Sequence, residues 1–150
     1  MKVTNQVSAR AVAQVVGDRP PRISEGVREL WFNDWATSIM FGRPKLTLWF
    51  NWPGDRQEPC VRLPRHYNVQ QLVGKPSPQG QFTVGWKSDY LREYANYFDL
   101  RPDDDLSPER FAEVSAWGEI KTVTTNSKRA ELPSAMQYSV VARLLPPRDT

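Results

Sequence analysis

The sequence predicts a β-rich domain, in a class between all-β and α+β. Six tryptophans, five tyrosines and six phenylalanines in 150 residues favour strands, because aromatic side chains fit a pleated, half-buried surface. Thirteen prolines favour short elements joined by many loops. The predicted elements follow the order strands, helix, strands. This order is typical of an OB-like small barrel, and an antiparallel sheet with one covering helix is the alternative.

The first half of the chain is predicted to hold an arm and then strands. Residues 1–22 form the arm, in which 7–16 has the spacing of a short helix. The clearest strand is 45–51, because Leu46, Leu48 and Phe50 alternate with Thr47, Trp49 and Asn51. Further strands are predicted at 26–32, 35–41 and 60–63, and Pro64 is expected to end the last of them.

The second half is predicted to hold the helix and the remaining strands. Ser88 is a suitable N-cap for a helix that reaches Phe98, with Leu91, Tyr94, Ala95 and Phe98 facing the core. Ser107 and Pro108 mark a second, very short helix. Strands are expected at 117–125 and 137–145. The folded domain is therefore predicted to span 23–147, with a tail at 148–150.

The charge distribution and the cysteine content indicate the type of partner and the cellular compartment. The net charge is +3, and it is uneven: residues 1–75 carry 11 basic and 6 acidic side chains. Such a local excess suits an anionic partner. Cys60 is the only cysteine, so no intramolecular disulfide can form and a reducing compartment is expected. We find neither the apolar run of a signal peptide nor a membrane span, and we expect a cytoplasmic protein.

No catalytic or metal-binding pattern is recognisable. A zinc site needs three or four ligands, and His66 and Cys60 are the only His and Cys residues. We interpret them as a surface histidine and a partly buried thiol rather than as a nucleophile pair. Asp103, Asp104 and Asp105 precede a helix start, where negative charge is favourable without a metal. We therefore expect a protein that is not an enzyme and uses no metal or cofactor.

Aromatic and basic residues alternate through the middle of the chain. Flat side chains stack on bases of any identity, while Lys and Arg follow the phosphates. This pattern predicts a non-enzymatic accessory protein that binds single-stranded DNA or RNA. The candidate binding residues are Arg43, Lys45, Trp49, Trp52, Arg62, Arg65, Tyr67, Lys75, Trp86 and Lys87.

The alternative is a protein-binding inhibitor or adaptor, for example one that acts against a host defence system. Tyr90, Tyr94 and Tyr97 recur at helical spacing, and aromatic residues are enriched in interface cores. They would form the partner-binding face, unless an exposed strand edge serves instead. Exposure of Trp49 and Trp52 beside basic residues would favour nucleic acid. Burial of both, with an acidic or tyrosine patch exposed, would favour a protein partner.

About two thirds of the chain resembles small uncharacterised proteins of phages, plasmids and integrated mobile elements. The resemblance rests on the segments LPRHYNV (63–69), VGKP (73–76), FTVGWKSDYLRE (82–93), GEIKTVT (118–124), LP (132–133) and YSVV (138–141). Its layout is similar to phage proteins with an OB-like core that act around DNA replication or recombination. The resemblance thus implies a mobile genetic element as the setting and assigns no activity, while the similar layout implies a role around DNA replication or recombination.

Overall fold

The computed structural model describes residues 12–17 and 19–148. Its seven strands are β1 (Gly26–Met40), β2 (Arg43–Trp52), β3 (Val61–Asn68), β4 (Gln71–Val73), β5 (Gln81–Thr83), β6 (Ser115–Val123) and β7 (Tyr138–Leu145). The α-helix α1 spans Asp89–Tyr97, and 3-10 helices span Pro108–Glu113 and Ser134–Met136. Five strands form an antiparallel sheet in the order β3-β2-β1-β6-β7, and β4 pairs with β5 separately. The β-rich class predicted from the sequence is confirmed.

The central strand β1 is longer than predicted. The sequence suggests two strands, 26–32 and 35–41, but they form one strand with a bulge between Phe32 and Asp34. Its first part pairs with β6 and its second part with β2. A bulge bends a strand and increases its twist. β1 can therefore take part in both halves of a strongly curved sheet.

Pro64 does not end β3, contrary to the expectation from sequence. The strand continues to Asn68, and Pro64 lies opposite Trp49 of β2. β3 is the last strand of the hydrogen-bonded order. An edge strand tolerates a proline because the backbone N–H groups on one of its sides have no neighbouring strand to bind. The five extra residues, 64–68, continue the alternation of β3 between the two faces of the sheet.

The two end strands, β3 and β7, lie against each other, and α1 packs on both. Glu93 of α1 joins them. Its carboxylate accepts hydrogen bonds from Arg65 Nε (3.1 Å), Arg65 Nη2 (2.5 Å) and Tyr67 Oη (2.8 Å) of β3, and from the backbone N–H of Leu144 in β7 (2.8 Å). The sheet thus curls until its ends meet, as in a partly open OB-like barrel.

Helix α1 fills one end of this curled sheet. Ser88 is its N-cap, as predicted, and accepts a hydrogen bond from Leu91 N at 3.1 Å. Ser107 likewise caps the short 3-10 helix that brings Phe111 into the core. An aromatic cluster packs between these elements and the sheet, with Phe98 5.1 Å from Phe111 and Tyr90 5.3 Å from Tyr67 between ring centres. Ala95 is exposed, so its assignment to the core face is wrong.

Contacts near the two ends of the described region involve Pro21 and Arg148. Part of the predicted helix 7–16 lies outside the described residues, and 12–16 contains no helix. Among the described residues, Pro21 is the first that hydrogen-bonds to a strand of the sheet: its carbonyl accepts from Ser139 N at 2.9 Å. At the other end the Arg148 guanidinium lies 5.0 Å from the centre of the Trp117 ring. Within 12–17 and 19–148, no helix is long and apolar enough to cross a membrane.

Candidate nucleic-acid interface

Strands β1, β2 and β3 present one side to the core and the other to the exterior. Leu46, Leu48 and Phe50 of β2 are fully buried, so the intervening residues of β2 and their cross-strand partners face outward. We call this side the outer sheet face. Its aromatic, charged and polar side chains include Trp31 and Asp34 of β1, Arg43, Lys45, Trp49 and Asn51 of β2, and Arg62, His66 and Asn68 of β3.

The middle of the outer sheet face holds a stacked pair. The Arg62 guanidinium lies over the Trp49 ring, 4.1 Å from its centre, and pairs with Asp34 at 3.6 Å. The side chains of Arg62 and Asp34 are both about half exposed, at 46% and 48%. The contact with Trp49 fixes the plane of a cation that still meets solvent. Such a guanidinium can stack on a base or bind a phosphate.

Beside this pair lies an open apolar groove of about 600 Å³. Trp31 forms one wall and is 44% exposed. The other lining residues are Asn51, Trp52, Pro53, Cys60, Val61 and Arg62. The groove therefore offers a flat aromatic surface next to one cation and one amide, which is the combination that an unpaired base needs.

The opposite end of the outer sheet face is basic and polar. Lys45 Nζ donates a hydrogen bond to the Asn68 side chain, and Arg43 is exposed at the start of β2. His66 Nδ1 lies 2.7 Å from Thr47 Oγ1. Burial lowers the pKa of His66, and the charges of Lys45 and Arg65 lower it further. Across 31–40, 43–52 and 61–68, Asp34 is the single acidic residue.

Three predicted binding residues are buried: Arg65 and Tyr67 do not reach this face, and Trp52 contributes only a small part of its surface to the groove. Trp52 is 7% exposed and Tyr67 1%, and both belong to the core. Arg65 is 7% exposed and points inward to Glu93. Burial alone would lower the pKa of Arg65, but the hydrogen bonds and charge of Glu93 outweigh it and raise that pKa, so Arg65 stays charged. It neutralises a carboxylate and is not available to a phosphate.

Other predicted residues lie away from the outer sheet face. Trp86 is 89% exposed in the loop between β5 and α1, next to Lys87. It lines a separate cleft of about 270 Å³ with residues that include Leu91 and Leu100, and none of the lining residues comes from β1, β2 or β3. Lys75 is exposed in the β4–β5 loop. Of the ten predicted residues, Arg43, Lys45, Trp49 and Arg62 lie together.

The tyrosine stripe of α1 is core and not a partner-binding face, which corrects the prediction. Tyr90 and Tyr94 are fully buried and Tyr97 is half-buried. Their hydroxyls are also occupied: Tyr90 donates to Leu106 O and Tyr94 to Asp104 Oδ1, while Tyr97 accepts from Trp117 N. The helix presents such a wide aromatic surface to the core because it closes the end of the curled sheet.

The residues considered as candidates for catalysis or metal binding are either far apart or engaged in contacts that stabilise the fold. Cys60 and His66 lie at opposite ends of β3, roughly 20 Å apart at about 3.3 Å per strand residue. Cys60 is exposed and His66 half-buried, the reverse of the expectation. Asp104 accepts from Leu106 N and pairs with Arg110 at 3.5 Å. Within 12–17 and 19–148, no three His, Cys, Asp or Glu side chains group to hold a metal ion.

Sequence reasoning missed Trp31, the exposed aromatic of this face. The signal was present: Leu30 and Phe32 pack in or against the core, so the alternation of a strand turns Trp31 outward. Comparison with protein-family models, with curated proteins and with solved structures finds no match for this chain. The outer sheet face therefore has to be interpreted from its own chemistry.

Proposed function

We propose that the protein binds single-stranded nucleic acid, DNA or RNA, on the outer sheet face as a non-enzymatic accessory protein. The observation that carries this proposal is the exposed Trp31 beside the stacked Trp49–Arg62 pair, with Lys45 and Arg43 on the same side of the sheet. Stacking surfaces and cations alternate along one path, as sequence-tolerant binding requires. The resemblance to proteins of mobile elements suggests the setting.

The shape of the face agrees with an extended single strand. It runs along three antiparallel strands, and strands 2 and 3 of an OB-like barrel are where oligonucleotides commonly bind. The Trp31 groove accepts a base, while Arg62 and Lys45 lie on the outer side of β3 and β2 where a phosphate backbone would pass. Burial of Tyr90 and Tyr94 removes one of the two surfaces on which the protein-partner alternative was based, and an exposed strand edge is the other.

The test is binding of fluorescent oligodeoxythymidine, measured by anisotropy across a salt titration. Each phosphate neutralised on a single strand contributes about −0.7 to the slope of log K against log salt. We expect Lys45→Ala/Arg62→Ala to flatten the slope by up to about 1.4. Trp31→Ala should instead weaken binding by ~1–3 kcal/mol with the slope almost unchanged, because stacking releases no ions.

The matched control is Lys87→Ala/Arg92→Ala, which removes two exposed cations from the α1 end of the molecule. If this control flattens the slope as much as Lys45→Ala/Arg62→Ala does, the oligonucleotide binds through the net charge of the protein, and the proposed site is wrong. Absence of binding by the wild-type protein at low salt would end the nucleic-acid proposal. The affinity for oligouridine of the same length, measured in the same way, then compares RNA with DNA.

A further inference from the structure

The turn between β1 and β2 contains a residue type that its backbone conformation disfavours. Met40 pairs with Arg43, so the loop consists of Phe41 and Gly42 alone. Both have positive φ, 54° and 74°, as the two central residues of a type I′ turn do. Asn, Asp and Gly are preferred at the first position, because a bulky side chain there meets its own backbone. Phe41 therefore strains the turn that it occupies.

Packing does not compensate for this strain. Phe41 is 77% exposed, and an exposed aromatic of this size contributes little to the core. Among the described residues, the other non-glycines with positive φ are Gln79, Leu106 and Arg129. Gln79 N donates to Trp35 O at 3.0 Å, and Arg129 N donates to Asn126 O within a polar turn. Leu106 packs on the core and donates to Asp104.

The side chain of Phe41 lies next to the basic end of the outer sheet face. Arg43 and Lys45 follow it directly on the outer side of β2, so the tip extends the outer sheet face. Ile39, 54% exposed, adds apolar surface at the same tip. An aromatic ring held beyond two cations has the arrangement of a stacking side chain at the end of a phosphate track.

We propose that Phe41 stacks on a base of the bound single strand where that strand passes the β1–β2 hairpin. This inference rests on the proposed function and adds a contact beyond the sheet itself. Strain retained at an exposed position is often associated with a functional site. The fold would gain from Asn at position 41, while the ligand would lose its stacking partner.

The test measures stability and affinity in the same variants. Phe41→Asn should raise the melting temperature by a few degrees and weaken oligodeoxythymidine binding roughly 5- to 150-fold, the range expected for loss of one stacked base. Phe41→Trp should keep the affinity near that of the wild type. Trp86→Ala removes an exposed aromatic from another surface and should leave binding unchanged.

A scan with one abasic position per oligonucleotide locates the contact. At one position the abasic substitution should weaken binding by the wild type but not by Phe41→Asn. Unchanged affinity of Phe41→Asn would overturn the role of Phe41 and leave the sheet site intact. Weaker binding together with a lower melting temperature would assign Phe41 a structural role and also overturn the inference. If the wild type does not bind, the proposed function fails, and the inference fails with it.

Discussion

His66 is held neutral by its surroundings on the outer sheet face. The ring is half-buried against Thr47, with Lys45 and Arg65 as the nearest charges, and each of these three influences disfavours the imidazolium. The unfolded chain keeps the ordinary histidine pKa of about 6.5. The folded and unfolded states therefore bind different numbers of protons in mildly acidic solution.

This difference predicts the direction of a pH effect on stability. Because the folded-state pKa of His66 is lowered, the unfolded state takes up the proton first as pH falls. The stability due to neutral His66 is fully present above about pH 6.5 and is lost as pH falls through the lowered folded-state pKa. Urea denaturation from pH 7.5 downward measures this loss.

The control for this prediction is His66→Gln, which keeps a hydrogen-bonding partner for Thr47 and cannot titrate. Its free energy of unfolding should fall less steeply over the same pH range than that of the wild type. Carboxylates contribute equally to both proteins, so the difference between the two curves isolates His66. Identical curves would show that its pKa is not lowered.

The contrast between Arg62 and Arg65 shows what the sequence could and could not predict at the residue scale. Both were assigned to phosphates on charge alone. They lie an odd number of positions apart, so one faces outward onto Trp49 and the other inward onto Glu93. The alternation of apolar residues in β2 was regular enough to predict that Trp49 faces away from the core, and Lys45 follows the same alternation. The alternation of β3 could not be used beyond Leu63, because Pro64 was expected to end the strand.

At the scale of elements, the Glu93 network of Arg65, Tyr67, Glu93 and Leu144 connects three parts of the fold. Glu93 is 3% exposed and joins α1 to both end strands of the sheet. A buried charge that loses its partner is costly, because the remaining ion has no water around it. The network therefore holds the sheet ends together only while both charges are present.

Glu93→Ala is expected to destabilise the protein by ~3–5 kcal/mol, the range for breaking one partner of a buried ion pair. The neighbouring Arg92→Ala is the control, since Arg92 is exposed and, among the described residues, forms its ion pair with Asp89 one turn away. An exposed pair of this kind contributes at most about 1 kcal/mol. Denaturant melts of both variants provide the comparison. Equal small losses would mean that α1 docks through its aromatic residues alone.

Helix α1 shows why residue spacing within one element predicted only part of its burial. Its N-cap, its length and the burial of Leu91, Tyr94 and Phe98 followed from the sequence. The sequence offered two stripes, one for a core and one for a partner, because a surface helix buries only one face. Here the tyrosine stripe is buried as well and Glu93 is buried with it. Sequence spacing cannot reveal that a helix closes the end of a curled sheet.

For the whole molecule, the order of elements was enough to predict the β-rich class and the central position of the helix. The β4–β5 pair was not predicted because each of its strands has only three residues. The long bent β1 was not predicted, since its first part pairs with β6, which is distant in sequence. Thr37 N, for example, donates to Ser77 O at 3.0 Å across 40 residues. Local periodicity carries no information about such partners.

The start of the folded unit gives a prediction at this same scale. Ile23 is 3% exposed, and its backbone N–H donates to Ser139 Oγ at 2.8 Å. Val16, only seven residues earlier, is 87% exposed. Truncating a buried isoleucine to alanine costs about 2–5 kcal/mol, because apolar burial is lost and a cavity remains. Truncating an exposed valine removes no burial.

We therefore expect Ile23→Ala to lower the free energy of unfolding by ~2–5 kcal/mol, and Val16→Ala to change it by no more than about 0.5 kcal/mol. Urea melts of the two variants measure both values. Ile23→Val should fall between them, since most of the side chain remains. A large effect of Val16→Ala would show that the arm packs on the domain, and the boundary near Pro21 would have to move toward the N-terminus. Small effects of both would place the first stabilising contact at β1 itself.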